Sequence, residues 1–343
     1  MYNAHLSEYP PRRIMGVAPH IPWVRVWVVV PLIFLTAAAS LETIWRVIGY
    51  PPSVRDSAEL WYFWRKRVRA DDHKIVVLLG TSRIRADISL ETLRNELPGY
   101  DVVQLGLNGP MSCIGILGDI AADRHFQGVV VCDLDTPLLE RSRWSDNSDR
   151  RDYRPDSRAT FAIAIVRAWL GGRVAILRSD FGLAQLARCI FGEIEPERFQ
   201  CTFAREMRWD FSVVRDIEAL RQRTQQSSRQ EYERQHFPPW AHLQGDIADI
   251  ESATRSLRAR GGSIVFVRMP SSGERLKLEE EYHPRALNWD RFAALTTCPC
   301  IHFADVTAMR TLSCPDGSHL DWRDASAFTA ALAKEMKRRG ILG

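Results

Sequence analysis

The sequence lacks the short motifs by which proteins bind nucleotides, with no Gly-x-Gly-x-x-Gly fingerprint and no Walker phosphate-binding sequence. Its seven cysteines, an odd number without repeated spacing, match neither a disulfide framework nor a zinc site. Charge of one sign is also scarce: 46 Lys and Arg residues face 42 acidic ones. The net charge of +4 is too small to indicate a nucleic-acid partner by itself. We therefore expect no cofactor, no metal site and no nucleic-acid partner.

One long hydrophobic run lies near the N-terminus, although the mean hydropathy of −0.22 excludes a multi-pass membrane protein. Residues 26–41 carry no charge, and Arg25 and Glu42 bracket them. Three tryptophans lie near the ends, as interfacial anchors do: Trp23, Trp27 and Trp45. Counted between the outer two, the segment reaches the roughly 20 residues that a helix needs to cross a bilayer. We predict an uncleaved transmembrane anchor over 23–45 after a tail over 1–22. The alternative is a buried core helix.

The segment after the anchor is charged and rich in tryptophan, and we expect it to be a juxtamembrane linker over 46–73. Arginines precede the anchor at positions 12, 13 and 25, and further basic residues follow it between positions 46 and 69. Because basic residues stand on both sides, the positive-inside rule does not decide the orientation. The charge pattern therefore does not tell on which side of the membrane the C-terminal domain lies.

Apolar runs and amphipathic segments alternate from residue 74 onward. Short β-branched runs predict strands over 74–79, 101–106, 128–135, 263–269 and 300–306. Helical spacing predicts helices over 89–97, 112–124, 247–260, 289–297 and 324–339. Near-continuous apolar strands separated by amphipathic helices are typical of a parallel sheet covered on both faces. The predicted fold is therefore a three-layer α/β domain over 74–343 with about five parallel strands.

The alternation breaks between the third and fourth predicted strands. Residues 141–245 hold 18 Arg, no Lys and 14 acidic residues, and helical spacing recurs over 161–170, 181–190 and 211–222. We predict a helical insertion that covers one edge of the sheet and is not a separate domain. Two interpretations stay open: a lid or groove for an anionic polymer, and a solvated Arg-rich subdomain.

Polar residues with catalytic potential follow the predicted strands, where open parallel sheets place their ligands. Ser82 follows the first strand, and a serine nucleophile needs a base within hydrogen-bond reach. His319 could supply that base, and Asp316, three residues earlier, could hold the imidazole in one tautomer. Oxyanion donors are candidates after the second strand, at the Gly106 or Gly109 amide and the Asn108 side chain, in addition to the Ser82 amide.

These segments resemble the SGNH/GDSL hydrolase superfamily across about residues 74–339. The resemblance rests on LGTSRI around Ser82, on the Gly/Asn segment after the second strand, and on DGSHLDWRDASAF before the last helix. The anchored layout and the Gly-Thr-Ser-Arg sequence are similar to proteins of polysaccharide O-acetylation systems, such as the alginate acetylation proteins and the teichoic acid D-alanylation protein. The resemblance implies a flavodoxin-like sheet, a Ser82–His319–Asp316 triad, an acyl-enzyme and an extracytoplasmic catalytic domain.

The sequence departs from the family pattern after the third strand. The family has an oxyanion Asn in a Gly-x-Asn-Asp sequence there, whereas this chain reads Asp133-Leu134-Asp135-Thr136. Either Asn108 substitutes, or amides alone form the oxyanion hole. Arg83, beside the predicted nucleophile, could bind a carboxylate of the substrate or pair with Asp133 or Asp135.

The leading hypothesis for function is acyl transfer from an ester or thioester donor to a glycan hydroxyl, or hydrolysis if water is the acceptor. The expected partners are the acyl donor, the glycan acceptor and a membrane-embedded acyl-transfer protein, and the expected location is the cell inner membrane with a periplasmic domain. The alternative is a non-catalytic, anchored binding or assembly component of a polysaccharide modification or export complex. A third hypothesis is an anchored hydrolase that faces the cytoplasm.

Overall fold

The computed structural model describes residues 22–68, 74–109, 111–178, 199–234 and 240–342, together with positions 184, 187, 188 and 191. The helices are α1 (Trp23–Val47), α2 (Ala58–Arg65), α3 (Ser82–Ala86), α4 (Leu90–Glu96), α5 (Ile114–Ala122), α6 (Ser148–Arg151), α7 (Arg158–Gly171), α8 (Ile217–Arg234), α9 (Trp240–Arg258), α10 (Gly273–Tyr282), α11 (Trp289–Leu295), α12 (Thr307–Arg310) and α13 (Trp322–Arg338). The strands are β1 (Ile75–Leu79), β2 (Asp101–Gln104), β3 (Val129–Asp133), β4 (Phe199–Cys201), β5 (Met207–Trp209), β6 (Ser263–Arg268) and β7 (Cys300–His302). The tail predicted over 1–22 lies, apart from residue 22, outside the described residues.

Helix α1 is long and apolar enough to cross a membrane. Its 25 residues extend over about 38 Å at the α-helical rise. No part of its most apolar stretch is buried against the rest of the molecule, and the Phe34 side chain is 69% exposed. This exposure argues against a buried core helix.

The central sheet has five parallel strands in the order β2-β1-β3-β6-β7. Val77 of β1 lies beside Val103 of β2 and Val130 of β3, and Val130 in turn lies beside Ile264 of β6. The predicted α/β fold with five parallel strands is confirmed. The strands are shorter than the apolar runs because their last residues turn into the loops at the carboxyl edge; β3, for example, ends at Asp133.

Alternate residues of each strand face opposite layers of helices, as the pleat of a strand requires. In β1, Ile75, Val77 and Leu79 pack with the core formed by α2, α5, α9 and α11. The intervening Val76 and Leu78 pack with α3, α4, α12 and α13. Each strand is therefore apolar on both faces, which explains the near-continuous hydrophobic runs in the sequence.

The segment predicted as a linker, 46–73, is a folded part of the domain in its described residues. Helix α2 begins at an N-cap, where the Ser57 side chain accepts a hydrogen bond from the Leu60 amide. Leu60, Trp61 and Trp64 are buried in the main core, and the Trp61 indole donates to the Leu105 carbonyl at 3.2 Å. The linker expectation was wrong because these tryptophans cover the sheet rather than a membrane surface.

The insertion differs from its prediction in position and in content. Helix α7 contains the predicted 161–170 and packs on α2, but the hairpin β4–β5 was not predicted. The hairpin packs against α3, and α8 packs against α10, so this part of the insertion lies at the carboxyl ends of the strands rather than at one edge. Residues 211–222 form a turn of 3-10 helix, Phe211–Val213, and the start of α8. Most of the helix predicted over 181–190 lies outside the described residues.

Candidate active site

A tight turn after β1 carries Ser82 to the carboxyl edge of the sheet. Gly80 has φ +146°, and a Cβ at this position would lie 2.4 Å from the Asp133 Cβ, so only glycine fits. The Thr81 amide and hydroxyl both donate to Asp133 Oδ2, at 3.2 and 2.9 Å. The Thr81 hydroxyl also caps α3 by accepting from the Arg83 amide. Ser82 is thus held as the first residue of a helix, directly beyond a buried strand.

The turn before α13 brings His319 to Ser82. Asp316 Oδ1 accepts hydrogen bonds from the Ser318 and His319 amides at 2.9 and 2.8 Å, which folds the turn around the carboxylate. The His319 Nδ1 atom lies 2.9 Å from Asp316 Oδ2, and Nε2 lies 3.0 Å from Ser82 Oγ. The structure therefore brings all three predicted catalytic residues into one hydrogen-bonded chain.

The charge of Asp316 determines the direction of the hydrogen bonds in this chain. Burial raises the pKa of Asp316, but the hydrogen bonds and charge of His319 and the two turn amides lower it below its usual value. An ionised carboxylate only accepts, so His319 Nδ1 donates to Asp316, and in a neutral imidazole Nε2 then presents its lone pair to the Ser82 hydroxyl. This is the tautomer that a general base needs.

The imidazole of His319 is also stacked on Trp209 of β5. The two ring centroids are 4.6 Å apart and the planes lie within 8° of parallel. Trp209 is itself packed between Phe199 and Phe211 of the insertion. Trp209 was not predicted from the sequence, because no local pattern in an Arg-rich insertion indicates which tryptophan contacts a histidine 110 residues later.

The two predicted oxyanion donors nearest the end of β2 differ in their hydrogen bonds. The Gly106 amide donates to the Gln104 side chain at 2.8 Å, inside the core. Asn108 is exposed, and its side-chain oxygen accepts from Arg85 at 2.6 Å. Neither residue lines the cleft at Ser82. The Gly106 prediction was wrong because its amide already donates inside the core, whereas the Asn108 bond uses the side-chain oxygen and its role as a donor stays a prediction.

Two predicted donors keep a suitable position. The Ser82 amide belongs to the first turn of α3, whose N–H groups have no acceptor within the helix itself. Gly109, with φ +86°, lines the same cleft as Ser82 and His319. The oxyanion candidates that belong to the cleft are thus two backbone amides.

Arg83 forms ion pairs with the protein, which favours the second of its two predicted roles. Its side chain is 5% exposed and lies 2.9 Å from Asp135 and 3.5 Å from Glu279. Burial lowers the pKa of Arg83, but these two carboxylates raise it above its usual value. Asp133 is not its direct partner, because it accepts from Thr81 instead. Arg83 therefore ties α3 to Asp135, just beyond β3, and to Glu279 of α10, and it also lines the cleft over Ser82.

The cleft over Ser82 has a volume of about 620 Å³ and is closed on one side by the insertion. Helix α8 supplies much of this wall through Leu220, Arg223, Thr224, Ser227 and Tyr232. The insertion thus forms one wall of the cleft that contains the predicted nucleophile. A cleft of this size takes a ligand larger than an acetyl group.

Within the described ranges, no group of three or more His, Cys, Asp or Glu side chains is placed to hold a metal ion. The chain matches no model of a known protein family, and no curated protein matches it. The geometry around Ser82 is therefore the main support for a catalytic role.

Proposed function

We propose that this chain is a membrane-anchored serine acyltransferase or esterase of the SGNH/GDSL type, acting on O-acyl groups of an envelope or extracellular polysaccharide. The observation that carries the proposal is the Ser82–His319–Asp316 chain, in which a hydroxyl and an imidazole 237 positions apart meet at 3.0 Å. The five-stranded parallel sheet, with Ser82 after β1 and Asp316 and His319 before the last helix, supports the SGNH/GDSL assignment.

In the first half of the reaction, Ser82 Oγ attacks the acyl carbon of an ester or thioester donor. His319 Nε2 takes the hydroxyl proton, and the ionised Asp316 stabilises the imidazolium. The carbonyl oxygen becomes an oxyanion, which would accept hydrogen bonds from the amides of Ser82 and Gly109. The donor's alcohol or thiol then leaves with the proton from His319, and an ester of Ser82 remains.

In the second half, a hydroxyl of the acceptor loses its proton to His319 and attacks the ester of Ser82. The acyl group moves to the acceptor, and the proton returns to Ser82 Oγ. A glycan acceptor makes the enzyme a transferase, and water makes it an esterase. A transferase differs from an esterase in that water is kept away from the ester of Ser82. The wall formed by α8 would contribute to this exclusion of water.

We further propose that α1 crosses the cell inner membrane once and that the α/β domain lies on the periplasmic side. The length and exposed apolar surface of α1 support the anchor, and the resemblance to polysaccharide O-acetylation proteins supports the side. A membrane-embedded acyl-transfer protein would then supply the acyl donor. A reporter enzyme fused after residue 343 tests the side: activity of a reporter that works only in the cytoplasm would contradict this orientation.

The catalytic proposal is tested by ester turnover with the full chain in detergent micelles. The full chain is required because Trp45 and Tyr50 pack with Ala175, so removal of residues before 51 would expose that contact. With a small chromogenic acetyl ester, we expect Ser82→Ala and His319→Ala each to lower kcat/KM by about 10³-fold or more. Ser318→Ala is the matched control, because this hydroxyl lines the same cleft and has no catalytic role in the scheme.

A covalent probe gives a second readout that needs no acceptor. A fluorophosphonate forms a phosphorus–oxygen bond with an activated serine and releases fluoride, so we expect it to label the wild type and Ser318→Ala but not Ser82→Ala. Equal labelling and turnover by wild type and Ser82→Ala would contradict the enzyme proposal. The non-catalytic binding or assembly role would then be preferred.

A further inference from the structure

Helix α7 exposes an apolar stripe that the rest of the described chain leaves uncovered. Ile163, Val166 and Trp169 are 61%, 56% and 43% exposed, and Leu177 beyond the helix is 46% exposed. The spacing of Ile163, Val166 and Trp169 places these three residues along one side of α7. The opposite side is occupied, because Ile165 and Ala168 pack against the main core. Single exposed hydrophobic residues are ordinary, whereas a contiguous apolar stripe indicates an interaction surface.

The charge of α7 matches a surface that carries negative groups. Its 14 residues include Arg158 and Arg167 but no acidic residue. Arg173 follows and stacks on the Trp169 ring at 3.9 Å. Tryptophan rings and arginine side chains both occur at the boundary between lipid headgroups and water, so this composition suits a segment that lies there. A helix of 14 residues is also too short to span a bilayer, which needs about 20.

The stripe is continuous with the end of the helix that we assign to the membrane. Glu42 of α1 accepts hydrogen bonds from the amides of Ala175 and Ile176 at 3.0 and 3.1 Å, just beyond α7. Arg46 of α1 donates to the Arg173 carbonyl at 2.9 Å. The C-terminal end of α7 is therefore fixed beside the last two turns of α1, where charged residues first follow the apolar run.

From this juxtaposition we infer that α7 is a second, interfacial membrane contact, whose stripe of Ile163, Val166, Trp169 and Leu177 dips into the lipid surface beside α1. Arg158, Arg167 and Arg173 face the lipid phosphates. The inference rests on the proposed membrane insertion of α1 and is independent of the chemistry at Ser82. It gives the domain two contacts with the bilayer, so its orientation to the membrane is defined.

The test is the depth of single fluorescent amino acids in the full chain. The chain is reconstituted in nanodiscs of phosphatidylcholine and phosphatidylglycerol, with or without bromine on the acyl chains. One label replaces Val166. A second replaces Phe34 in α1, and a third replaces the 45% exposed Leu295 of α11, which leads to β7 at the sheet edge opposite β2. All three sites are exposed, so the labels leave the core intact.

We expect bromine to quench the label at 34 strongly and the label at 166 at least about threefold more than the label at 295, as for a helix immersed in the interface. Quenching at 34 with equal, weak quenching at 166 and 295 would overturn the α7 contact and leave the anchor intact. Absence of quenching at 34 would overturn the anchor and the α7 contact together. Protection of the label at 166 from an aqueous quencher only in native membranes, and not in nanodiscs, would replace lipid with a protein partner.

Discussion

At the scale of single residues, the stack of Trp209 on His319 has a consequence for the rate of the proposed reaction. In the proposed acylation step His319 becomes a cation, and an aromatic face within about 6 Å stabilises a cation by about 1–2 kcal/mol when water is excluded. Trp209 also restricts rotation of the imidazole between Ser82 and Asp316. It is a positioning residue, since it touches the base and acts on the reaction through it.

We predict that Trp209→Leu lowers kcat by about tenfold with little change in KM, because about 1.4 kcal/mol of stabilisation of the charged base is lost. Trp209→Phe keeps an aromatic face, and we expect it to restore most of kcat. Phe199→Leu is the control, because it loosens the packing around Trp209 without reaching His319. Equal loss of kcat in the Phe199 variant would show that Trp209 matters only for the fold of the hairpin.

The candidate site could be predicted from sequence only where its parts are local to strand ends. Ser82, Asp316 and His319 each follow a recognisable strand or precede a helix, so their convergence follows from parallel topology. Trp209 and the partners of Arg83 could not be predicted, because they meet through tertiary packing. The Gly106 prediction was wrong for a related reason: a glycine in a loop indicates an accessible amide, but not which neighbour accepts from that amide.

At the scale of elements, the β1–α3 turn depends on a glycine for two separate reasons. Gly80 has a positive φ, and it also lacks the space for a Cβ beside Asp133. Gly99 has a positive φ as well, but nothing lies within 4 Å of its Cβ position. The two positions therefore separate backbone strain from steric overlap.

We predict that Gly80→Ala lowers the free energy of unfolding by about 2–4 kcal/mol, because strain and overlap add. Gly99→Ala should cost only about 1 kcal/mol, from backbone strain alone. Chemical denaturation in micelles, followed by tryptophan fluorescence, measures both changes. Equal losses of unfolding free energy in the two variants would mean that the Asp133 side chain moves to make room for the new methyl group.

A helix or strand could be predicted where its buried residues form a periodic apolar pattern in the sequence. The five strands of the sheet are apolar runs, and α13 buries Phe328, Leu332 and Met336 at helical spacing. Helix α10 was missed because it buries only Leu278 and Glu279 and is otherwise charged. Helix α2 was missed because its tryptophans beside an anchor resembled an interfacial belt.

At the scale of the whole molecule, Asp56 joins three distant segments. Its carboxylate accepts from Arg205 of the insertion at 2.7 and 3.0 Å and from Arg85 of α3 at 2.9 Å. Both arginine side chains are completely buried. Arg205 also donates to the Gln104 and Gly106 carbonyls at the end of β2. The segment before α2, the insertion and the active-site helix thus share one carboxylate.

We predict that Asp56→Asn destabilises the fold by about 3–5 kcal/mol, because two buried guanidinium groups lose their counter-charge. Asp149→Asn, at a side chain that is 76% exposed, is the control and should change stability by less than about 0.5 kcal/mol. Denaturation at pH 7 measures both. A loss of stability as small as that of the control would mean that other contacts hold the insertion on the domain.

The Asp56 carboxylate also makes the stability of the fold depend on pH. Burial raises the pKa of Asp56, but Arg205 and Arg85 lower it to about 2. In the unfolded chain the value is near 3.9. Because the folded value is the lower one, Asp56 contributes its full stability above about pH 4 and loses it as the pH falls towards 2. The difference in stability between wild type and Asp56→Asn should therefore shrink on acidification through this window.

The bond between Glu42 and the amides of Ala175 and Ile176 has one more consequence under the proposed anchoring. On a flexible tether, the domain and its cleft could tilt in any direction above the membrane. With the junction fixed by these hydrogen bonds, the domain can only rotate about the bilayer normal and diffuse laterally. Its search for a donor delivered along the membrane becomes two-dimensional. Ser82 then stays at one height above the lipid, so a long polymer would be modified only in the layer that passes through that height.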